Sequence, residues 1–184
     1  MTAGARHSPR EPATDLAGVT GVRTGEDSAA ELYAACYPRL VGVLALAAGS
    51  RSEAEDVVQE AFVRLVPRWS SIGRYDDPEA WVRKVAFRLL SHRFRQLRRL
   101  GRPGPHRDDP TLPAPDSARL DVARALATLP LAQRQVVVLH YLLDRPVAEV
   151  AADLGVAVGT VKSRLSRARA ALAPLLEDPV DDHA

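Results

Sequence analysis

Between Leu100 and Ser117 the chain carries Pro103, Pro105, Pro110, Pro113 and Pro115, with Gly101 and Gly104 among them. Each proline removes a backbone donor and locks φ near about −65°, so the segment excludes a helix and favours an extended, semi-rigid linker. Whatever folds must fold on one side of it or the other. The reading that follows is an N-terminal arm over 1–27, a first block over 28–99, a linker over 100–117, a second block over 118–176 and an acidic tail over 177–184. The arm mixes Gly, Pro, Ser, Thr and charges without periodicity and reads as disordered.

With 46% apolar residues the chain has the material for a packed core, while aromatic residues stand at 5%. Ala, Leu and Arg dominate over aromatic and β-branched residues, a balance that predicts helices. The expected fold class is all-α: two small helical domains joined by the Pro-rich linker. The strand-like run Val136-Val137-Val138 sits inside a helical pattern and is read as helix. Net charge is +2 and the sequence pI about 9.0, so the distribution of charge carries more information than its sum.

Several function classes are excluded at this level. The single cysteine, Cys36, permits no intramolecular disulfide and no cysteine-based zinc site. His7, His92, His106, His140 and His183 are not paired at ligand spacing, so no metal or cofactor is expected. Paired carboxylates, a nucleophile with a base nearby and a Gly-rich phosphate loop are all missing, which argues against an enzyme. The N-terminus lacks the apolar core of a secretion signal. No apolar run is read as approaching the roughly 18 residues that span a bilayer. A cytoplasmic location without membrane insertion is the expectation.

In the first block, Tyr33, Tyr37, Leu40, Val41 and Leu44 recur at helical spacing, and Pro38 predicts a kink or a fresh start. Ser52 is read as the N-cap of the next helix, where Ala54, Val57, Val58, Ala61, Phe62 and Leu65 form an apolar stripe that Pro67 ends. Outside that stripe stand Glu53, Glu55, Asp56 and Glu60 with Gln59, a face that suits a basic protein partner better than DNA. Ser70 to Asp77 reads as a polar loop beside Trp69, Tyr75 and Trp81. Such a loop can hold an unstacked base, with Tyr75 the functional aromatic and Trp81 a core residue. Asp77 with Pro78 then marks a helix start, and that helix runs to about Arg99. It is basic without a single acid from Arg83 to Arg102. Lys84, Arg88, Arg95 and Arg99 share a face with Ser91 and His92 between them, a surface that can track phosphates.

The second block predicts helices over 116–128, 131–142, 147–154 and 158–176. In the last pair, Val147, Val150, Ala151 and Leu154 form one apolar face, and Gly155 stands where the chain must reverse. Val156, Val158, Val161 and Leu165 close against that face. Thr160, Lys162, Ser163, Arg164, Ser166, Arg167 and Arg169 point outwards, with no acid from Gly155 to Leu176. A short apolar helix, a Gly turn and a basic helix make a helix-turn-helix, whose second helix enters a major groove.

At this point the residues resemble a known family. The run from Ala54 to Leu65, AEDVVQEAFVRL, resembles the region 2 helix of sigma factors that docks on RNA polymerase. LPLAQRQVVVL from Leu129 and GTVKSRLSRAR from Gly159 resemble region 4, which reads the −35 promoter element. With only a linker between them, the chain is similar to the extracytoplasmic-function (ECF) group. Tyr37-Pro38-Arg39-Leu40 and the stretch from Asp77 to Val82 are similar to its actinobacterial SigE-like branch. The resemblance implies that Asp56, Gln59, Glu60 and Arg64 contact core polymerase at its clamp, with region 4 on the flap. It implies that the 70–77 loop with Tyr75 takes a flipped base of the −10 element, backed by Lys84, Arg88, Ser91, His92 and Arg95. Thr160, Lys162, Ser163, Arg164 and Arg167 would face the −35 element. An anti-sigma factor is the further partner implied.

Residue by residue, a stand-alone helix-turn-helix regulator remains the alternative, although it leaves the first block without a role. The two blocks are expected to fold separately and to lie against polymerase with the linker threaded between them.

Overall fold

The computed structural model describes residues 25–101 and 117–176. The acidic tail and most of the expected arm and linker lie outside the described residues. The order of elements is α1 Gly25–Ala48, α2 Arg51–Leu65, a 3₁₀ turn Val66–Arg68, α3 Trp69–Ile72, α4 Pro78–Arg99, α5 Ser117–Thr128, α6 Leu131–Val137, a π turn Val138–Leu142, α7 Val147–Leu154 and α8 Val158–Leu176. Helix is the only regular structure among the described residues, and α1 already starts within the last residues of the segment read as an arm.

α1 continues through Pro38 without a fresh start. A proline inside a helix forfeits one backbone bond, and here long burial of the following turn outweighs that loss: Leu40, Val41, Leu44, Ala45 and Ala47 are all nearly inaccessible. Ser28–Ala48 also reaches a mean hydropathy of 1.2 and is long and apolar enough to cross a membrane. That corrects the expectation that no such run exists. Glu31 and Arg39 interrupt the stretch to the eye, yet its alanines and leucines carry the average. In this fold its apolar side packs on α2 and α4.

α1 and α2 form a hairpin that turns at Gly49, whose φ of +77° and N–H bond to Ala45 O (2.7 Å) close α1 in a left-handed cap. The cap of α2 is Ser50 rather than Ser52: Ser50 is extended and its Oγ accepts from Glu53 N at 3.3 Å. Ser52 falls one residue inside the helix and turns its hydroxyl to Ser50 at 3.2 Å. The apolar stripe of α2 is buried as read, from Ala54 to Leu65. Pro67 tightens the chain into the 3₁₀ turn. The segment from Ser70 is only partly a loop, since Trp69–Ile72 forms one helical turn before the chain opens at 73–77. Asp77 caps α4 as expected, accepting from Ala80 N at 2.8 Å, with Pro78 next.

The blocks do not stand apart. α1 packs on α5, α6 and the π turn, and α4 packs on α6 and α7. Buried side chains from Cys36 to Ala168 form one continuous cluster, which corrects the picture of separately folded halves. A unit of about 60 residues buries only about 60% of its chain surface, so merging two small cores removes apolar area that neither could cover alone. Leu129 and Leu139 in one block, and Phe87 and Leu90 in the other, are fully buried as a result.

Candidate functional site

The helix-turn-helix forms where the sequence predicts, except that Val158, read as closing against α7, stands at the start of α8 and is 42% exposed. α7 ends at Leu154, Gly155 adopts φ +67° and ψ +41°, and Val156 N returns to Ala151 O at 3.0 Å. Only a residue without Cβ takes that conformation at no cost. Ala157 O receives the first N–H groups of α8, from Thr160 at 2.9 Å and Val161 at 3.2 Å. Val161, Leu165 and Ala168 then bury against α6 and α7, which turns the opposite face outwards. Lys162, Ser163, Ser166, Arg167 and Arg169 are exposed, while Thr160 and Arg164 are half-buried. The cations project from a rigid helix into solvent, a surface able to meet phosphate and base edges together.

α4 carries the second basic surface. Lys84, Ser91, His92, Arg88 and Arg95 lie along it as read, with Tyr75 half exposed in the loop at its N-terminus. Trp81 packs against the core. Two of these side chains are already engaged. Arg88 donates to Ala152 O at 2.9 Å and Asp153 O at 3.0 Å, the last carbonyls of α7. Ser91 shares its hydroxyl between Phe87 O and Gln135 Oε1, both at 3.0 Å.

The acidic face of α2 is divided. Asp56 and Gln59 are exposed, Gln59 donating to Tyr37 Oη at 3.4 Å. Glu60 and Glu53 instead receive Arg93 from α4, at 2.8 and 3.2 Å, and Glu60 also pairs with Arg64. Hydrogen bonding from Arg93 holds the Glu60 carboxyl below its ordinary range. A face read as free for a partner therefore also fastens α2 to α4. Beside it, Tyr33 stacks on Tyr37 and meets the edge of Phe62.

Sequence reasoning missed Arg83, Gln135 and Asp153, all buried between the blocks. Arg83 Nε lies 3.5 Å from Asp153 Oδ2, and Gln135 Nε2 donates to Phe87 O at 3.3 Å. One signal was legible: Asp153 interrupts the apolar face Val150, Ala151, Leu154, and a polar residue on a buried stripe needs a partner. The second block also holds a groove of about 370 Å³ lined by Val122, Leu126, Val137, Tyr141, Leu142 and Leu172. Among the described residues no cluster of His, Cys, Asp and Glu could hold a metal ion. Burial raises the Cys36 thiol to about 11, with Glu79 adding to it.

Comparison with known proteins bears directly on these surfaces. The family described as Sigma-70 region 2 matches residues 32–100, and Sigma-70, region 4 matches residues 119–172. The chain is 32% identical over 178 residues to the ECF RNA polymerase sigma factor SigM of Mycobacterium tuberculosis, covering 94% of this chain and 88% of that one. It is 37% identical over 131 residues to the RNA polymerase sigma-E factor of Streptomyces avermitilis, covering 68% and 72%. Its fold matches the sigma factor RpoE, solved with the anti-sigma factor NepR from Bartonella quintana, at a TM-score of 0.65 and 23% identity over 82% of this chain and 97% of that one. A region 2 match across the first block does not favour the stand-alone regulator, which had no place for it. The chain belongs to the ECF family of RNA polymerase sigma factors, proteins that bind core polymerase and direct it to promoters to initiate transcription.

Proposed function

We propose that the work is divided by surface. In this reading α8 faces the −35 element through Thr160, Lys162, Ser163, Arg164 and Arg167. The loop with Tyr75, together with Lys84, Arg88, Ser91, His92 and Arg95 of α4, faces the −10 element and its flipped base. Asp56, Gln59, Glu60 and Arg64 of α2 meet the polymerase clamp, and the apolar groove of the second block suits the flap. The 28–99 and 118–176 blocks are the two working units. The observation that carries the reading is the exposed, acid-free face of α8 behind the left-handed turn at Gly155. The motif Tyr37-Pro38-Arg39-Leu40 and the likeness to the Streptomyces factor favour the SigE-like branch, and RpoE's own complex makes an anti-sigma partner the natural regulator to seek. Action on polymerase implies a cytoplasmic protein.

Arg164→Ala tests the assignment. If Arg164 touches a base edge, holoenzyme affinity for promoter DNA should fall by about 1–3 kcal/mol, read by titration at fixed salt. Unchanged affinity rules the role out. Asp56→Lys is the cleaner probe of the polymerase side, because Asp56 is 67% exposed at its side chain and, among the described residues, is held by no ion pair shorter than a 3.9 Å contact to Arg93. Co-purification with core polymerase should drop; retention would count against that face.

A further inference from the structure

Gly73 has no conformational reason to be a glycine. Its φ of −61° and ψ of −12° lie in the right-handed region open to every residue. There, glycine only adds backbone freedom that folding must remove. What the missing Cβ supplies is room. A Cβ at this position would stand 2.8 Å from Trp69 Cε2, 3.0 Å from Trp69 Cζ2 and 2.9 Å from Trp69 O, whereas at Gly42 and Gly159 it would meet nothing within 4 Å. The backbone at Gly73 therefore rests against the indole, and Gly73 N donates to Trp69 O at 2.8 Å. Trp69 is itself packed on the core, and Ile72 of the same turn is buried.

We propose that Gly73 and Trp69 are positioning residues for base capture: the indole is a seat for the loop and holds Tyr75 where an unstacked base of the −10 element meets it. The inference rests on the loop assignment above. α3 is a single turn of four residues, too short to be held by its own hydrogen bonds. Its fixed points are the side chains of Trp69 and Ile72, and from there the chain reaches Tyr75, whose N–H returns to Ile72 O at 2.9 Å. The far end of the loop is fastened as well. Asp77 caps α4 through Ala80 N, and Glu79 in the first turn pairs with Arg39 of α1. Residues 73–77 between these anchors are all exposed.

A loop that becomes ordered only on contact subtracts that ordering entropy from the affinity. A loop already seated does not, so discrimination for a displaced base depends on the seat as well as on the Tyr75 ring. One methyl group added at Gly73 leaves every polar and aromatic group of the loop present and disturbs only their support.

The test uses holoenzyme assembled from core polymerase and the full chain. It binds single-stranded DNA drawn from a random pool by the parent holoenzyme, with an abasic site then placed at each position in turn. The position read by the loop is the one whose abasic penalty Tyr75→Ala removes. At that position the readout is the ratio of affinities, intact over abasic, which does not depend on the fraction of protein folded. Gly73→Ala should cut the ratio by about threefold or more, within the range of one base–aromatic stack, while affinity for core polymerase and for −35 duplex holds. Combining it with Trp69→Phe, which withdraws the Cζ2 corner of the ring, should recover about half of the loss on a logarithmic scale. An unchanged ratio in Gly73→Ala overturns the inference and leaves the loop assignment standing. A reduced ratio that Trp69→Phe does not relieve overturns it too, because the methyl would then act through something other than the indole. If Tyr75→Ala removes no penalty at any position, the loop assignment fails and the seat has nothing to position.

Discussion

Arg93 shows how a single side chain can serve two readings. From the sequence it is one more cation on a basic helix, off the face that gathers Lys84, Arg88, Arg95 and Arg99. In the fold it turns inward to Glu53 and Glu60 and ties α4 to α2. Its bond to Glu60 lowers that carboxyl's pKa below the ordinary value. A carboxylate with a depressed folded pKa adds stability that is present above its unfolded pKa and lost as pH falls through the folded one. Arg93→Ala should therefore be destabilising near neutral pH. The gap in Tm between it and the parent should close as the pH drops below the usual carboxylate range, about 4 and under. Thermal melts across that range check it. A gap that stays constant down to low pH would mean Arg93 acts by packing its stem and not by pairing. Because these groups are partly exposed, added salt should narrow the gap as well.

Among the elements, turns separate what patterning reveals from what it conceals. The apolar stripe of α2, the Asp77-Pro78 start of α4 and the Gly155 reversal were all legible, because each depends on neighbours within a few residues. The fresh start offered by Pro38 is not taken, because a local penalty is outvoted by burial that only the assembled bundle supplies. The cap of α2 was missed by two residues, since Ser50 and Ser52 offer the same hydroxyl and the choice lies in the hairpin with α1. The π turn at Val138–Leu142 and the left-handed Asp144 behind it leave no mark in the apolar period. Gly49 and Gly155 sharpen the point. Both sit at positive φ, so Ala at either should cost about 1–2 kcal/mol in backbone strain. At Gly155 a Cβ would meet Arg88 at an ordinary 3.5 Å, but at Gly49 it would stand 2.4 Å from Arg134 Nη1. Arg134 also donates to Leu129 O from a buried position. Gly49→Ala must therefore displace a buried cation from the seam between the blocks in addition to straining the turn. Its Tm should fall further than that of Gly155→Ala. Equal losses would show that Arg134 moves aside freely.

For the whole molecule, the surfaces of each block were readable while their union was not. A linker rich in proline suggests distance, and nothing in a local period tells Arg83 of α4 that its partner is Asp153, seventy positions along. What joins them is tertiary: two small cores that bury more apolar surface together than apart, sealed by a few polar bonds. This arrangement has a thermodynamic signature. If α1 supports both α2 and the second block, loss of either half exposes apolar surface on the other, and the chain should unfold in one cooperative step. Calorimetry of the free protein should give a single endotherm with agreeing calorimetric and van't Hoff enthalpies. Asp153→Ala removes the partner of a buried arginine and weakens only the seam, so it should lower the coupling and resolve the endotherm into two, the less stable block melting first. Two transitions in the unaltered protein would mean that the blocks are independent and that their contact contributes nothing to stability. A single transition retained in the variant would place the coupling in the apolar contacts of α1 instead of the Arg83–Asp153 pair.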